Sequence, residues 1–360
     1  MNFCLVQGEQ YFAAARWEEA INCFEQARSW PQAEAATALL WLGRAYLKAE
    51  KWLQAVEVWQ EFLSCRPDSL EGWNGKGQAL MQLKRYKEAE ISFNRALGLK
   101  PDDPVTLNNQ GTCMLAQKRY KDAYRCLKLA LEKAPRDPVL LGNLAFALSK
   151  LGRFSEACRY FEMALRGGLC DGDLINNFGV CLAESGQFKA AAELYQRYSF
   201  LLDLDNPEVL ANVASIFSRS GIYEEALKFY RKALELAPED FALYNNLGIA
   251  LEEMGQYEEA LENYQRACEL CPHNLSVLYN KAVCLEKLKK EEEAMRCLDH
   301  ILRIEPTYSP AWEQKGHLYG KWNDWERAVE CYNRAWGLFC NAPVEDLFFS
   351  AGSEGGLIGS

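Results

Sequence analysis

Six asparagines and one glutamine recur at a nearly constant interval along this 360-residue chain: Asn109, Asn143, Asn177, Asn212, Asn246, Asn280 and Gln314. A primary amide carries an acceptor oxygen and two N–H donors, so it can bond the C=O and N–H of a peptide backbone together. Asn is also a poor helix former, and six of them give up about 3 to 4 kcal/mol against Ala. The sequence therefore predicts that these seven amides form a ladder gripping an extended polypeptide. Asn245, beside Asn246, recurs only as Asn74, Asn108 and Asn176 and reads as a groove-edge or solvated bystander.

Other reactive residues point to little chemistry. Cys268-Glu-Leu-Cys271-Pro-His273 begins like a zinc site, but His300 and His317, the other two histidines, lie too far along the chain to complete it. The fourteen cysteines recur at apolar helix positions (Cys113, Cys181 and Cys284 in one slot; Cys23, Cys126, Cys297 and Cys331 in another). They read as small core residues of a reducing compartment, with no metal and no cofactor. No GxxxxGK[ST], GxSxG or HExxH occurs, so no enzymatic activity is expected.

Charge narrows the partners. A net charge of −10 argues against nucleic acid, whose binding requires phosphate neutralisation. The balance is uneven: residues 70–137 carry 13 basic and 8 acidic side chains, whereas residues 207–274 carry 5 and 12. No run reaches the roughly eighteen apolar residues of a membrane span, and no membrane insertion is expected. The expected location is the cytoplasm, with the nucleus as an alternative.

The elements that position the amides follow from a 34-residue period. Ten units begin at Met1, Ala36, Leu70, Pro104, Pro138, Gly172, Pro207, Phe241, Leu275 and Ser309 and cover residues 1–342. Position 8 is Gly or Ala in every unit, position 20 is Ala, and position 24 is bulky, from Phe24 to Tyr332. Positions 4, 7, 8 and 11 share one helix face, as do 20, 24 and 27, so each unit is an amphipathic helix pair. Prolines at position 32, such as Pro101 and Pro238, end the second helix. Position 6, which holds the amide ladder, lies opposite the core face of the first helix. Helices about 8 to 10 Å apart then set one amide against roughly three residues of an extended ligand.

The signature LLWLGRAY…AVEVWQEF…P, repeated as LYNNLGIAL…ALENYQRA…P, resembles the tetratricopeptide repeat. The resemblance implies an all-α, right-handed α-solenoid of antiparallel helix pairs, with first helices lining a concave groove that binds proteins or peptides. The amides resemble the asparagine ladder in the tetratricopeptide superhelix of O-linked N-acetylglucosamine transferase, without its catalytic part. Position 5 holds no Lys, which argues against the family's chaperone-tail clamp.

Departures from the repeat carry further expectations. Unit nine has Glu291 where the other units have an aromatic, which predicts a looser turn. GGLCDGD and SFLLDLDNPEV flank unit six, predicting a hinge near 167–174 or 199–207. In segment 343–360, Val344, Leu347, Phe348 and Phe349 are expected to cap the last helix pair before a flexible Gly/Ser tail. Units one to three replace the ladder with Trp41, Arg44, Glu9 and Gln78, while Phe146, Val180, Ile249 and Val283 give later units an apolar lane. The expected function is a non-catalytic scaffold holding an extended polypeptide. The alternatives are an assembly subunit that self-associates through uncapped ends or joins a complex through its convex face, and the targeting part of a longer enzyme.

Overall fold

The computed structural model describes residues 3–28 and 32–338; the C-terminal cap and tail expected from the sequence lie outside them. No strand occurs among the described residues. The chain forms an all-α solenoid and divides into two compact units, one up to Gln187 and one from Phe188 onward.

The first unit holds five complete helix pairs: α1 (Phe3–Ala13) with α2 (Trp17–Arg28), and α3 (Gln32–Lys48) with α4 (Trp52–Cys65). They are followed by α5 (Leu70–Gln82) with α6 (Tyr86–Leu99), and α7 (Pro104–Ala116) with α8 (Tyr120–Lys133). The fifth pair is α9 (Pro138–Lys150) with α10 (Phe154–Arg166), and α11 (Gly172–Glu184) ends the unit. The second unit opens with α12 (Phe188–Tyr198) and a short 3-10 turn at Ser199–Leu201. Four further pairs follow: α13 (Pro207–Arg219) with α14 (Tyr223–Leu236), and α15 (Phe241–Glu253) with α16 (Tyr257–Leu270). The last two are α17 (Leu275–Lys287) with α18 (Glu291–Ile304), and α19 (Ser309–Lys321) with α20 (Trp325–Ala335).

Local chemistry explains these boundaries. Ser69, Asp103, Asp137, Asp171, Asn206, Asp240 and Asn274 cap successive first helices by accepting from backbone N–H groups of the first turn. Every turn within a repeat passes through one residue with positive φ: Ala15, Glu50, Lys84, Lys118, Gly152, Gly186, Gly221, Gly255, Lys289 and Asn323. That conformation lets the last carbonyls of the first helix accept two backbone bonds, as in Lys118 N to Leu115 O and Arg119 N to Met114 O, both 2.9 Å.

Unit nine does not have the looser turn expected from Glu291. Lys289 N to Glu286 O and Lys290 N to Leu285 O are both 2.9 Å, matching the other turns. The backbone bonds hold this turn without the aromatic ring. Glu291 instead accepts the indole N–H of Trp322 at 2.6 Å.

Within each unit the core lies between the two helices of a repeat, where position 8 meets position 24. A Cβ added at Gly248 would sit 2.7 Å from Tyr264 Cε1, so glycine there lets the backbone meet the ring face directly. Tyr264 is fully buried, as are Phe24, Phe93 and Leu127 at the same position of other repeats. Successive first helices touch within each unit (α5 with α7, α7 with α9, α15 with α17), whereas no such pairing joins the described second helices of successive repeats. The first helices therefore line the tighter, concave side of each unit.

Candidate functional site

The position-6 amides lie on the first helices, and the structure gives hydrogen-bond partners for several of them. Asn143 Nδ2 donates to Asn108 Oδ1 at 2.8 Å and lies 3.5 Å from Thr112 Oγ1. Asn280 Nδ2 donates to Asn245 Oδ1 at 2.9 Å. Asn109 Nδ2 reaches Asn74 Oδ1 at 3.4 Å, Asn74 donates onward to Thr106 Oγ1 at 2.8 Å, and Gln78 Nε2 donates to Asn109 Oδ1 at 3.3 Å. Position 5 of one repeat thus accepts from position 6 of the next. Asn246 accepts from Asn245 at 3.4 Å, and Asn177 and Asn212 are half-buried on the same face of their own helices.

Two readings of the amides change as a result. Asn245 is not a bystander, because it is the acceptor that ties α17 to α15. The helix propensity sacrificed by these asparagines is offset by bonds between repeats, each contributing about 0.5 to 1.5 kcal/mol. Spacing along one helix gives no sign of this, since the partner lies 35 residues away.

Gln314 differs from the asparagines. Its amide donates to Glu286, a buried carboxylate that also takes Lys321 Nζ and His317 Nδ1, the latter at 3.1 Å. The seventh amide therefore belongs to an ionic cluster joining α17 to α19.

In the first unit the concave side opens into a cavity of about 1000 Å³, lined by α1, α3, α4, α5, α7 and α9. Phe12, Trp41, Leu47, Trp52 and Met81 supply apolar wall, while Asn74, Asn108, Asn109 and Asn143 supply the amides. A volume of this size is at the upper end for ligand pockets. Phe12 meets Trp41 edge to face, with ring centroids 5.2 Å apart. Arg44 lies over the Trp41 ring at 4.6 Å and is ion-paired to Glu71. Burial works against ionisation of Asp103, yet its bonds from Lys100 at 2.9 Å and from Thr106 hold its carboxyl below the ordinary value. Lys48 is exposed at the rim and makes no ion pair among the described residues.

The floor of this cavity was not foreseen from the amide register. Gly75 occupies position 6, where later repeats carry Asn, and a Cβ there would collide with the indole of Trp59. Trp59 fills the foot of the missing rung and is 1% exposed. A glycine at position 6 just before the amide series begins, in the repeat after a position-24 Trp, was the available signal.

Among the described residues no group of three or more His, Cys, Asp or Glu could hold a metal ion, and no disulfide forms. Nor is any described helix long and apolar enough to cross a membrane.

Stacked helix pairs with small-to-bulky contacts and a concave amide face define a tetratricopeptide-repeat protein, a class of protein-interaction scaffold that is typically non-catalytic. Tetratricopeptide repeat models match residues 205–273, 239–307 and 309–338. The chain belongs to the family described as the Cilia and flagella-associated protein 70 C-terminal domain, whose model matches residues 1–196. No curated protein matches it.

Among solved structures, the APC/C hetero-tetramer Cut9-Hcn1 is 16% identical and aligns over 92% of this chain and 75% of that one, with a TM-score of 0.50. YrrB, described as a TPR protein with an unusual peptide-binding site, is 23% identical over 52% of this chain and 97% of its own, with a TM-score of 0.48. MamA 41-end from Desulfovibrio magneticus RS-1 is 20% identical over 48% and 96%, with a TM-score of 0.44. These likenesses concern the fold.

Proposed function

We propose that the concave faces hold an extended polypeptide segment of a partner protein through its backbone, without catalysis. The observation that supports this most is the unspent capacity of the amides. Asn143 and Asn280 each use N–H groups toward the preceding repeat, while their Oδ1 atoms accept no hydrogen bond among the described residues. An amide fixed through one end presents its other end in a set direction, which lowers the ordering cost of binding. Asn246 and Gln314 are likewise held through one end, and Asn109, Asn177 and Asn212 continue the same register along their own helices. The family's name supports a site of action in a cilium or flagellum rather than the cytoplasm at large.

Selection of a random peptide library against the full chain tests this reading. The selected peptides are expected to bind Asn177→Ala and Asn246→Ala variants about ten-fold or more weakly, with helix content unchanged. These substitutions leave the Asn143–Asn108 and Asn280–Asn245 bonds in place. Equal affinity for wild type and both variants overturns the backbone-ladder reading.

A further inference from the structure

We infer that a cleft on the second-helix side of repeats eight and nine holds a phosphorylated serine or threonine of a partner segment. This site is separate from the concave amides and does not rest on the groove reading.

The cleft follows from the packing. α16 and α18 each pack on α17 rather than pairing with one another, and a cavity of about 530 Å³ opens between them with α17 as its floor. Three permanent cations line it, Lys281 from α17 and Arg296 and Arg303 from α18, against a single carboxylate, Glu293. Most carboxylates adjoining the lining in sequence are taken up elsewhere: Glu269 by Arg266 at 2.8 Å, Asp299 by Lys315 at 2.5 Å, and Glu286 by Lys321 and His317. Glu292 is exposed on α18 and does not line the cleft. Neither arginine of the cleft forms an ion pair among the described residues, and Arg303 uses one N–H toward the backbone O of Asp299 at 3.4 Å.

Lys281 differs from the other lysines at its position. Lys76, Lys281 and Lys315 all occupy position 7, on the core-facing side of a first helix. Lys76 donates to Gln60, and Lys315 donates to Asp299 at 2.5 Å, each partner standing at position 25 of the preceding repeat. The matching residue for Lys281 is Gln265, and no bond joins the two. Lys281 is half-buried and makes no hydrogen bond or ion pair among the described residues. A cation drawn partly out of water without a counter-charge carries a desolvation cost that a bound anion offsets. Burial pushes the neighbouring Cys268 and Cys297 thiols up, so both stay neutral and no thiolate takes that place.

Charge and shape select the anion. The lining has an excess of two positive charges, which a phosphomonoester of about −1.5 to −2 near neutral pH matches and a single carboxylate does not. Arginine forks together with a lysine point charge suit phosphate oxygens. His300 supplies the one aromatic ring in the lining, so a strand of nucleic acid finds no series of rings on which to stack its bases. The volume lies in the range of pockets that take ligands far larger than a bare ion, leaving room for the residues beside the phosphate.

The test uses the full chain and peptide libraries of about a dozen residues with degenerate flanks and a central phosphoserine, phosphothreonine, Ser or Glu. The phosphorylated libraries are expected to be retained, and peptides drawn from them to bind about ten-fold or more tightly than their Ser and Glu twins. Lys281→Met, which keeps the apolar stem, and Arg296→Gln are each expected to weaken that binding about ten-fold, with helix content unchanged. Lys76→Met, at the same position of another repeat, and Asn246→Ala, among the concave amides, are expected to bind as wild type does. Equal retention of the phosphorylated and Ser libraries overturns the proposal, as does full affinity in both Lys281→Met and Arg296→Gln. A loss in Lys76→Met or Asn246→Ala as large as that in Lys281→Met also overturns it, because the binding then reports general charge or the groove. Inorganic phosphate or a thymidine oligonucleotide binding as tightly as the best phosphopeptide overturns the choice of occupant.

Discussion

The side-chain amide of Asn143 donates to Oδ1 of Asn108, 35 residues earlier, at 2.8 Å, and the same bond joins Asn280 to Asn245 at 2.9 Å. In these doubled asparagines the first member, Asn108 or Asn245, is therefore the acceptor of a bond from the next repeat. In a stacked array, stability depends on such nearest-neighbour contacts as well as on each helix pair.

The first prediction concerns that bond. Asn245→Ala and Asn280→Ala should each lower the opening free energy of α15 and α17, read by native-state hydrogen exchange. The double variant should recover a coupling of about 0.5 to 1.5 kcal/mol. Strictly additive losses contradict a direct bond.

A second prediction follows from the close contact between position 8 and position 24. Gly77→Ala places a methyl group into Phe93 and should destabilise its repeat by about 1 to 3 kcal/mol. Phe93→Leu in the same background should restore part of the loss, because Ala282 faces Leu298 in repeat nine. The measurement is the urea midpoint of the full chain by circular dichroism, and an undiminished loss in the double variant counts against the contact.

The turns give a third. Lys118 holds φ at 60°, a conformation that costs an L side chain about 1 to 2 kcal/mol and costs glycine nothing sterically. Part of that gain is offset by the greater freedom of glycine in the unfolded chain. Lys118→Gly should therefore raise stability by up to about 1 kcal/mol, and Gly152→Lys should lower it. A fall in thermal midpoint for Lys118→Gly is the contrary result.

The fourth concerns pH. Burial raises the pKa of Glu252, only partly opposed by the hydrogen bond from Tyr264 Oη at 2.9 Å. A carboxyl whose folded pKa lies above its unfolded value binds more protons when folded, so its unfavourable contribution appears as pH rises through that interval. Glu252→Gln should raise the thermal midpoint at pH 7, with the difference shrinking as the pH is lowered to 4. A difference that instead grows on acidification refutes this account.

The helix pairs were legible because their determinants are local and periodic. Ala20 through Ala328 and the small residues at position 8 announce where two helices cross, and Pro and Asp at fixed offsets announce where they end. The turn at Lys289 was misread because its side-chain pattern is irregular while its backbone bonds are the usual ones. The positions of the amides were legible, but their pairing was not, since that depends on the approach of helices one repeat apart. The cavity depends on an absence at Gly75 and on a ring from the preceding repeat, so no single repeat contains it.

The amide bonds also act as a gauge of repeat length. Inserting one residue between Asn108 and Asn143 within α9 would rotate the later side chain about 100° around its helix and carry its donor away from the acceptor. Length changes in these repeats must therefore fall in loops that preserve the helix phase, or be followed by a compensating deletion before the next rung. Where the stitch is present, the chain has lost the freedom to drift in period that unstitched repeats retain.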